Sequence, residues 1–506
     1  MAKQPGGRMG QKEQLGQRLS RLQEHLRQEN PVLEKVVKSF RNLDRVSRRV
    51  GFLLPDQSYA LRTPWWPLIS VLGTYSSGKS TFLNTYMGYT LQTTGNQAVD
   101  DKFTVICYTS HDQVRVLPGL ALDSDPRFPL YRIGGAIEEV APGEGQHVDA
   151  YVQLKTCPSP KLKGKILIDS PGFDADAQRT STLRITDRIV DLSDLVLVFF
   201  DARHPESGSM RDTLTHLVQD TLQRRDANKF LFILNQIDMT AAEDNPEEVF
   251  AAWQRALAQS GLTAGRTYSI YDPQAAPPIE DESLRKRFSR KAEEGVRAIY
   301  ERMEQVQVER AYRIVGMLEE CVDHLEQTVV PAISRFQRSW RSRVLLVEGV
   351  LIGLLVLVFL GLTIWGGYWE GFQLQLGLPG WVTTPPWLYV VLGLVLVVLG
   401  WGHFSVRNRA ARSVADKLAA KVSDRERQNY LAAFRKNSNW WRSLFRNRPV
   451  GWNWRSKKAL KRVREDVKRY IQELNDSYAQ PSGQSGHKEA GQVDDAQDGE
   501  EAAEST

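Results

Sequence analysis

Apolar residues recur at Leu15, Leu19, Leu22, Leu26, Leu33, Val36, Phe40 and Leu43. The steps are threes and fours apart from one gap of seven, which predicts helix, one of a pair able to coil against other helices. From Pro64 to about Pro278 the pattern changes: short apolar runs (PLISVLG, KILIDS, LVLVFFDA, KFLFILNQID) alternate with polar, helix-compatible stretches. That alternation predicts a mainly parallel α/β sheet. Beyond Asp281 helical spacing returns, with Val308, Tyr312, Val315, Leu318, Val322, Leu325 and Val329 on one face. The helix is expected to stop at Pro331, and the segment reads as a stalk.

Two longer apolar stretches follow. Val344 to Gly367 is 24 residues with one charge, and Trp387 to Phe404 is 18 residues without Asp, Glu, Lys or Arg. About 20 apolar residues cross a bilayer core, so both qualify as spans. Arg335, Arg338, Arg341 and Arg343 precede the first, and Arg407, Arg409, Arg412 and Lys417 follow the second. The loop between them has no Lys or Arg, and Trp365, Tyr368, Trp369, Trp381 and Trp387 lie near its ends. By the positive-inside rule both termini face the cytoplasm, which predicts a cell (inner) membrane protein with two spans. Glu348 lies about one turn inside the first span and reads as reaching the headgroups. Gly349 and Gly353 form a GxxxG, a weak signal for close helix contact.

Charge and cysteine narrow the class. The net charge is +6, but the segment after Ser482 carries seven acids against Lys488, so the rest is about +12. This acidic tail lacks apolar spacing and reads as disordered. Cys107, Cys157 and Cys321 are scattered without CxxC spacing, so neither a disulfide framework nor a zinc site is indicated, and the polar N-terminal stretch gives secretion no support. Trp440, Trp441, Phe445, Trp452 and Trp454 interleave with Arg442, Arg446, Arg448, Arg455, Lys457 and Lys458. That mixture suits a lipid headgroup interface or stalk packing, and nucleic acid is not expected as a partner.

The chemistry sits in the α/β segment. Gly73-Thr-Tyr-Ser76-Ser77-Gly78-Lys79-Ser80 fits GxxxxGK[ST] and follows the run PLISVL, as a strand-to-helix phosphate loop requires. Its backbone N–H groups and the N-terminus of the next helix cradle phosphate, Lys79 reaches the β and γ phosphates, Ser80 ligates Mg²⁺, and Thr81 reaches the α phosphate. Asp169-Ser-Pro-Gly172 closes KILIDS: the carboxylate would hold a magnesium water and the Gly172 N–H would sense the γ phosphate. Asn235-Gln236-Ile-Asp238 closes FLFIL and matches NKxD except for Gln236. Asp238 can accept from the N1–H and exocyclic amine of guanine, a pair adenine lacks, so GTP is expected over ATP.

With these residues in view, the chain resembles the dynamin superfamily, most closely its EH-domain-containing branch, whose phosphate loop GQYSTGKTTF is similar to GTYSSGKSTF here. Gly95 to Phe103, Asp169 to Gly172 and Phe199 to Ala202 look like further segments of that branch, and the resemblance covers roughly residues 66 to 240. No DxDxDG loop exists, so the EH module is absent. The hairpin resembles that of mitofusin-like fusion dynamins, and the whole is similar to bacterial-type dynamin-like proteins. The resemblance implies self-association and membrane remodelling; it also implies ATP, against the guanine argument.

Some positions depart from the pattern. The branch's switch threonines fall on Val99 and Asp100, leaving Thr94 or Thr104 as candidates. Tyr75 stands where dynamin has a catalytic Gln, and Phe173 follows DSPG where Ras-type enzymes place Gln, so turnover is expected to be slow until another subunit completes the site. The expected organisation is N-terminal helices joining the stalk (1–60), a P-loop GTPase head (61–280), a stalk (281–343), a hairpin (344–404, spans 344–367 and 387–404), a helical return (405–478) and a tail (479–506). The function read from it is a membrane-anchored GTPase that self-associates and remodels, tethers or fuses membrane. The alternatives are an anchored switch that recruits a soluble partner and an ATP-preferring enzyme.

Overall fold

A computed structural model describes residues 7–92, 102–124, 127, 148–172, 179–203, 227–242, 246–259, 266–273, 279–367, 369–370, 373–374, 387–440, 442–446 and 448–478. Thr94, Val99, Asp100, Phe173, Tyr368, Trp381, Trp441 and the acidic tail lie outside the described residues. The chain divides into two compact units. One comprises Gly16–Val37, Ala60–Gly316 and the chain from Arg469; the other comprises Lys38–Tyr59, Met317–Lys468 and the chain up to Leu15.

The first unit is built on an eight-stranded sheet of β1 (Leu68–Gly73), β2 (Phe103–Tyr108), β3 (Arg115–Pro118), β4 (Val152–Cys157), β5 (Ile166–Asp169), β6 (Leu195–Asp201), β7 (Phe230–Asn235) and β8 (Arg266–Ser269). Its order is β3-β4-β2-β5-β1-β6-β7-β8. The run β5-β1-β6-β7-β8 is parallel throughout, whereas β2 pairs antiparallel with β5 and β3 antiparallel with β4. The sheet is mainly parallel, as the alternating runs predict. β1, β6 and β7 are buried along their whole length, which explains why they read as continuous apolar runs: a central parallel strand is covered on both faces.

Helices α1 (Gly7–Glu29) and α2 (Pro31–Val50) divide the first helical stretch at Asn30, because Pro31 has no N–H to continue the ladder. α3 (Lys79–Met87), α4 (Arg179–Leu192) and α5 (Pro246–Gln259) cover the sheet, and α6 (Glu282–Asp323) seals both of its faces. Phe288 and Ala292 of α6 join the cluster around Trp253 and Phe232, while Ile299, Met303 and Val306 join the cluster around Phe82 and Phe199. The core of the α/β unit thus includes residues of α6. Arg310 of α6 adds a buried ion pair: its Nη1 lies 3.1 Å from Asp194 Oδ1, and Asp194 Oδ2 accepts the backbone N–H of Leu68 at 3.0 Å. α6 therefore holds the start of the strand that leads to the phosphate loop.

The second unit is helical. α7 (Val330–Trp365) continues α6 through a π-helical turn at His324–Val329, giving 84 helical residues from Glu282 to Trp365. Helix does not stop at Pro331, because that residue falls in the first turn of α7, where a missing N–H breaks no bond of the new ladder. α8 (Trp387–Lys421), α9 (Asp424–Asn437) and α10 (Trp454–Tyr478) follow. Val322, Ile333, Trp340, Val414 and Leu418 are buried, and Arg464 of α10 bonds Asp323 at 2.6 Å and lies 2.8 Å from Glu326.

Two segments break the pattern of inward-facing apolar residues. Nearly all of 345–364 on α7 and 389–401 on α8 is exposed, including Leu357, Leu396 and Val397. Soluble monomers rarely carry apolar patches of this extent, which mark surfaces that meet another protein or a membrane. Val344 to Trp365 is about 33 Å of helix and Trp387 to Phe404 about 27 Å, close to the hydrocarbon thickness of about 30 Å. Two helices are thus long and apolar enough to cross a membrane. Glu348 has a partner inside the hairpin, with its Oε1 2.6 Å from His403 Nδ1 on α8, instead of merely reaching outward. A Cβ added at Gly349 or Gly353 would meet nothing within 4 Å, so the GxxxG makes no close helix contact here.

Candidate functional site

The three motifs converge at the C-terminal ends of neighbouring strands, where open parallel sheets bind ligands. β1 ends in the phosphate loop, β5 beside it ends at Asp169, and β7 on the other side of β6 ends at Asn235. The loop curls with positive φ at Ser76 (57°) and Gly78 (83°), and α3 begins at Lys79. Gly78 is required twice over: its φ is left-handed, and a Cβ would overlap Asn235 Nδ2. Ser77 is buried, and its Oγ donates to Thr74 O at 2.8 Å, closing the turn. Ser80 and Thr81 follow on the first turn of α3, both half-buried.

Lys79 is buried, and its Nζ donates to Gly73 O at 3.0 Å and Thr74 O at 2.8 Å. Burial pushes its pKa down to about 8, and the Asp169 charge opposes that fall. A negatively charged phosphate would restore the ammonium form. Asp169 is buried as well, and its Oδ2 accepts from Gln92 Nε2 at 2.6 Å. Gln92 Oε1 in turn accepts from Lys155 Nζ at 2.6 Å, and Asn84 of α3 fixes the strap by accepting the Leu91 and Gln92 N–H groups, each at 2.9 Å. Lys155, Gln92 and Asp169 form a buried relay that orients the carboxylate. Gly172 packs on the loop, since a Cβ there would come within 2.9 Å of Tyr75 Cα. Thr104 lies in β2, buried, and its Oγ1 accepts from Gln153 Nε2 at 2.9 Å.

Asn235 and Gln236 clamp the phosphate loop from outside: Asn235 Nδ2 donates to Ser77 O at 2.9 Å and Gln236 Nε2 to Ser76 O at 2.6 Å. Gln236 adopts a positive φ of 62°, which aims its amide at the loop. Asp238 is buried, which raises its carboxyl above the usual range, while the Arg203 guanidinium opposes this. Arg203 is itself fixed by Asp201 at the end of β6, with Nη2 2.5 Å from Oδ2. Asp238, Gly78 and Thr81 line a cavity of ≈ 1010 Å³ whose other wall is α6, through Ala292, Val296, Arg297 and Tyr300. A cavity of that size exceeds most small-ligand sites and leaves room beyond a nucleobase.

The oxygen donors suit Mg²⁺, a hard cation that takes one or two protein oxygens plus phosphate and water. Among the described residues no group of three or more His, Cys, Asp or Glu side chains is arranged to hold a metal. Ser80 and Asp169 carry oxygens of the kind Mg²⁺ takes and are the residues that would hold it beside substrate phosphates and water. Residues 69–237 match the Dynamin family model. This segment is a dynamin-family GTPase domain. Such domains use GTP and usually Mg²⁺.

No curated protein is similar to the chain at a significant level. Among solved structures, the chain is similar to two chains of an oligomerised bacterial dynamin pair described as sensing and tethering membranes at long range. One is 10% identical, covering 94% of this chain and 76% of that chain at a TM-score of 0.31; the other is 12% identical, covering 92% and 79% at 0.31. It is also similar to Era bound to MgGDPNP and a segment of 16S ribosomal RNA, at 15% identity over 44% of this chain and 56% of that chain, with a TM-score of 0.25.

Proposed function

We propose that this dynamin-like GTPase is anchored in a membrane by α7 and α8, binds and hydrolyses GTP with Mg²⁺, and self-associates to remodel, tether or fuse bilayers. The observation that carries the reading is a nucleotide site at the strand ends of one unit, on the same chain as two exposed apolar helices. In this reading Gly73, Ser76, Ser77 and Gly78 present backbone N–H groups to the phosphates, and Lys79 binds the β and γ phosphates. Ser80 and Asp169 are the Mg²⁺ donors, Thr81 meets the α phosphate, Gly172 senses the γ phosphate and Asp238 selects guanine. Asn235 and Gln236 act through the loop they hold, as positioning residues. Mg²⁺, when bound, would neutralise negative charge on the phosphates.

Hydrolysis needs a group to orient water, and Tyr75, which packs against Gly172, has no amide to do so. A second copy is the proposed source. Full-length protein in detergent with GDP and aluminium fluoride is expected to sediment as a dimer or larger species, and with GDP alone as a monomer. Identical sedimentation in both states would contradict self-association in the transition state.

Both termini are placed on the cytoplasmic side in this account, with only the loop near Tyr368 to Pro386 facing outward. Single cysteines at Gln375, Ser20 and Ser485, in a chain lacking Cys107, Cys157 and Cys321, would be treated with an impermeant maleimide on intact cells. Labelling at 375 alone is expected; labelling at 485 would overturn the hairpin orientation.

A further inference from the structure

The aromatic and basic cluster after α9 divides in two. Leu444 is buried and Trp452 half-buried, as packing residues are, whereas Trp440 is 63%, Phe445 76% and Trp454 67% exposed. Arg446, Arg448, Arg455, Lys457 and Lys458 are exposed beside them. Packing thus explains part of the cluster and leaves the rings of Trp440, Phe445 and Trp454 outside.

The segment bearing those rings is tied to the basic end of the hairpin. The buried Arg407 of α8 donates through Nη2 to Asn439 O at 3.0 Å and Arg442 O at 2.7 Å. Trp340 Nε1 on α7 donates to Arg407 O at 3.2 Å, and Gln337 Nε2 donates to Arg446 O at 3.0 Å. Arg442 Nη2 closes the segment on itself by donating to Arg448 O at 2.9 Å. Trp440 meets the last residue of the second apolar stretch directly, its ring 6.1 Å from that of Phe404.

These ties set a depth. Arg407 lies about 4.5 Å beyond Phe404 along its helix, and Trp340 and Gln337 lie about 6 and 10 Å before Val344. The headgroup layer on each side of the core is about 5–8 Å thick. A segment held by Arg407 and Trp340 is therefore at headgroup depth wherever the hairpin spans, and its tie to Gln337 lies at the outer edge of that layer. Aromatic rings with a polar edge favour that layer, and exposed arginines complement anionic headgroups.

We propose that residues 440, 442–446 and 448 form an interfacial collar that binds anionic phospholipid headgroups around the basic end of the hairpin, with Trp440 and Phe445 as the inserted rings. The collar rests on the spanning reading of α7 and α8. It makes the junction between anchor and helical unit a lipid-binding element, so that lipid charge acts on the protein at a point distinct from the spans.

The test uses full-length protein in a background lacking its three cysteines, spin-labelled at Phe445→Cys and reconstituted into vesicles of phosphatidylcholine with or without phosphatidylserine. Collision with oxygen reports lipid, and collision with a water-soluble nickel complex reports water. A label at 445 is expected to meet more oxygen and less nickel than one at the exposed Glu294, the more so with phosphatidylserine. Arg446→Gln with Arg448→Gln removes two bases and lowers attachment to the anionic surface by about thirtyfold, abolishing the difference between the two lipids. A 445 label as open to nickel as the one at Glu294 would overturn the proposal. So would a label shielded from both reagents, which would mean contact with protein or a second copy. A label at Leu357→Cys separates the two readings: if 357 is deep in lipid and 445 is not, the collar fails alone; if 357 is not in lipid, the anchor fails with it.

Discussion

Lys79→Ala is expected to weaken GTP binding by about a hundred- to a thousandfold while the protein still inserts into membranes. The magnitude follows from the ammonium's two proposed phosphate contacts: a hydrogen bond to a charged group contributes about 1.5–3 kcal/mol, and two near the lower end of that range give a loss of about 3–4 kcal/mol. The alanine also leaves Gly73 O and Thr74 O without the donor that now holds both. In the proposed anchoring, insertion rests on 345–364 and 389–401, which belong to the other unit.

Lys79 also gives binding a pH dependence of definite sign. Its pKa in the free site is about 8, so above that pH the lysine is increasingly neutral, whereas bound phosphates favour the charged form. Binding then takes up a proton, and affinity is level below pH 8 and falls above it, by up to about tenfold per unit. Titration with a fluorescent GTP analogue between pH 7 and 9 measures both effects. In Lys79→Ala the step at pH 8 should be gone. Unchanged affinity in that variant would remove the phosphate-loop assignment.

The second large effect concerns the base. Asp238 is buried and lines the cavity next to Gly78, so a carboxylate there meets a ligand edge with little water to compete. Guanine offers it two donors; adenine presents an acceptor at N1 and would leave the carboxylate unpaired, which sites built on hydrogen bonds reject strongly. GTP is expected to bind at least tenfold more tightly than ATP, a difference of about 1.4 kcal/mol. Asp238→Asn should erase the preference, because an amide no longer accepts from both donors. Competition calorimetry decides: ATP equal to or better than GTP on the unaltered protein would mean that Asp238 does not read the base.

The strands and the motif ends were legible because burial on both faces writes continuous apolar runs, and each motif closes one of them. LISVLG, ILID and FLFILN are β1, β5 and β7, and Gly73, Asp169 and Asn235 stand at their ends. What could not be read depends on contacts between distant positions. Gln92 and Lys155 are ordinary polar residues in sequence, 63 apart, and only the fold puts them in line behind Asp169. The mismatch of Gln236 with NKxD concealed a structural use, since an amide at positive φ reaches Ser76 O. The limit at Pro331 was misplaced because a π-helical turn ahead of it lets the helix restart, an adjustment that apolar spacing does not record. Nor did spacing reveal that α6 would wall the cavity: the apolar Ala292 and Val296 that line it are interspersed with the polar Ser289, Glu293, Arg297 and Glu301, a mixture that apolar spacing does not assign to a ligand site.

The central claim is that GTP hydrolysis is completed between copies held on a shared membrane. It is tested most directly by measuring GTP turnover per molecule of full-length protein in vesicles as the protein-to-lipid ratio is raised. Tethering two-dimensionally raises effective concentration, so turnover per molecule is expected to climb steeply with surface density and to saturate once neighbours are in contact. Turnover that stays level from sparse to crowded vesicles would contradict the account and leave an anchored GTPase whose copies act alone.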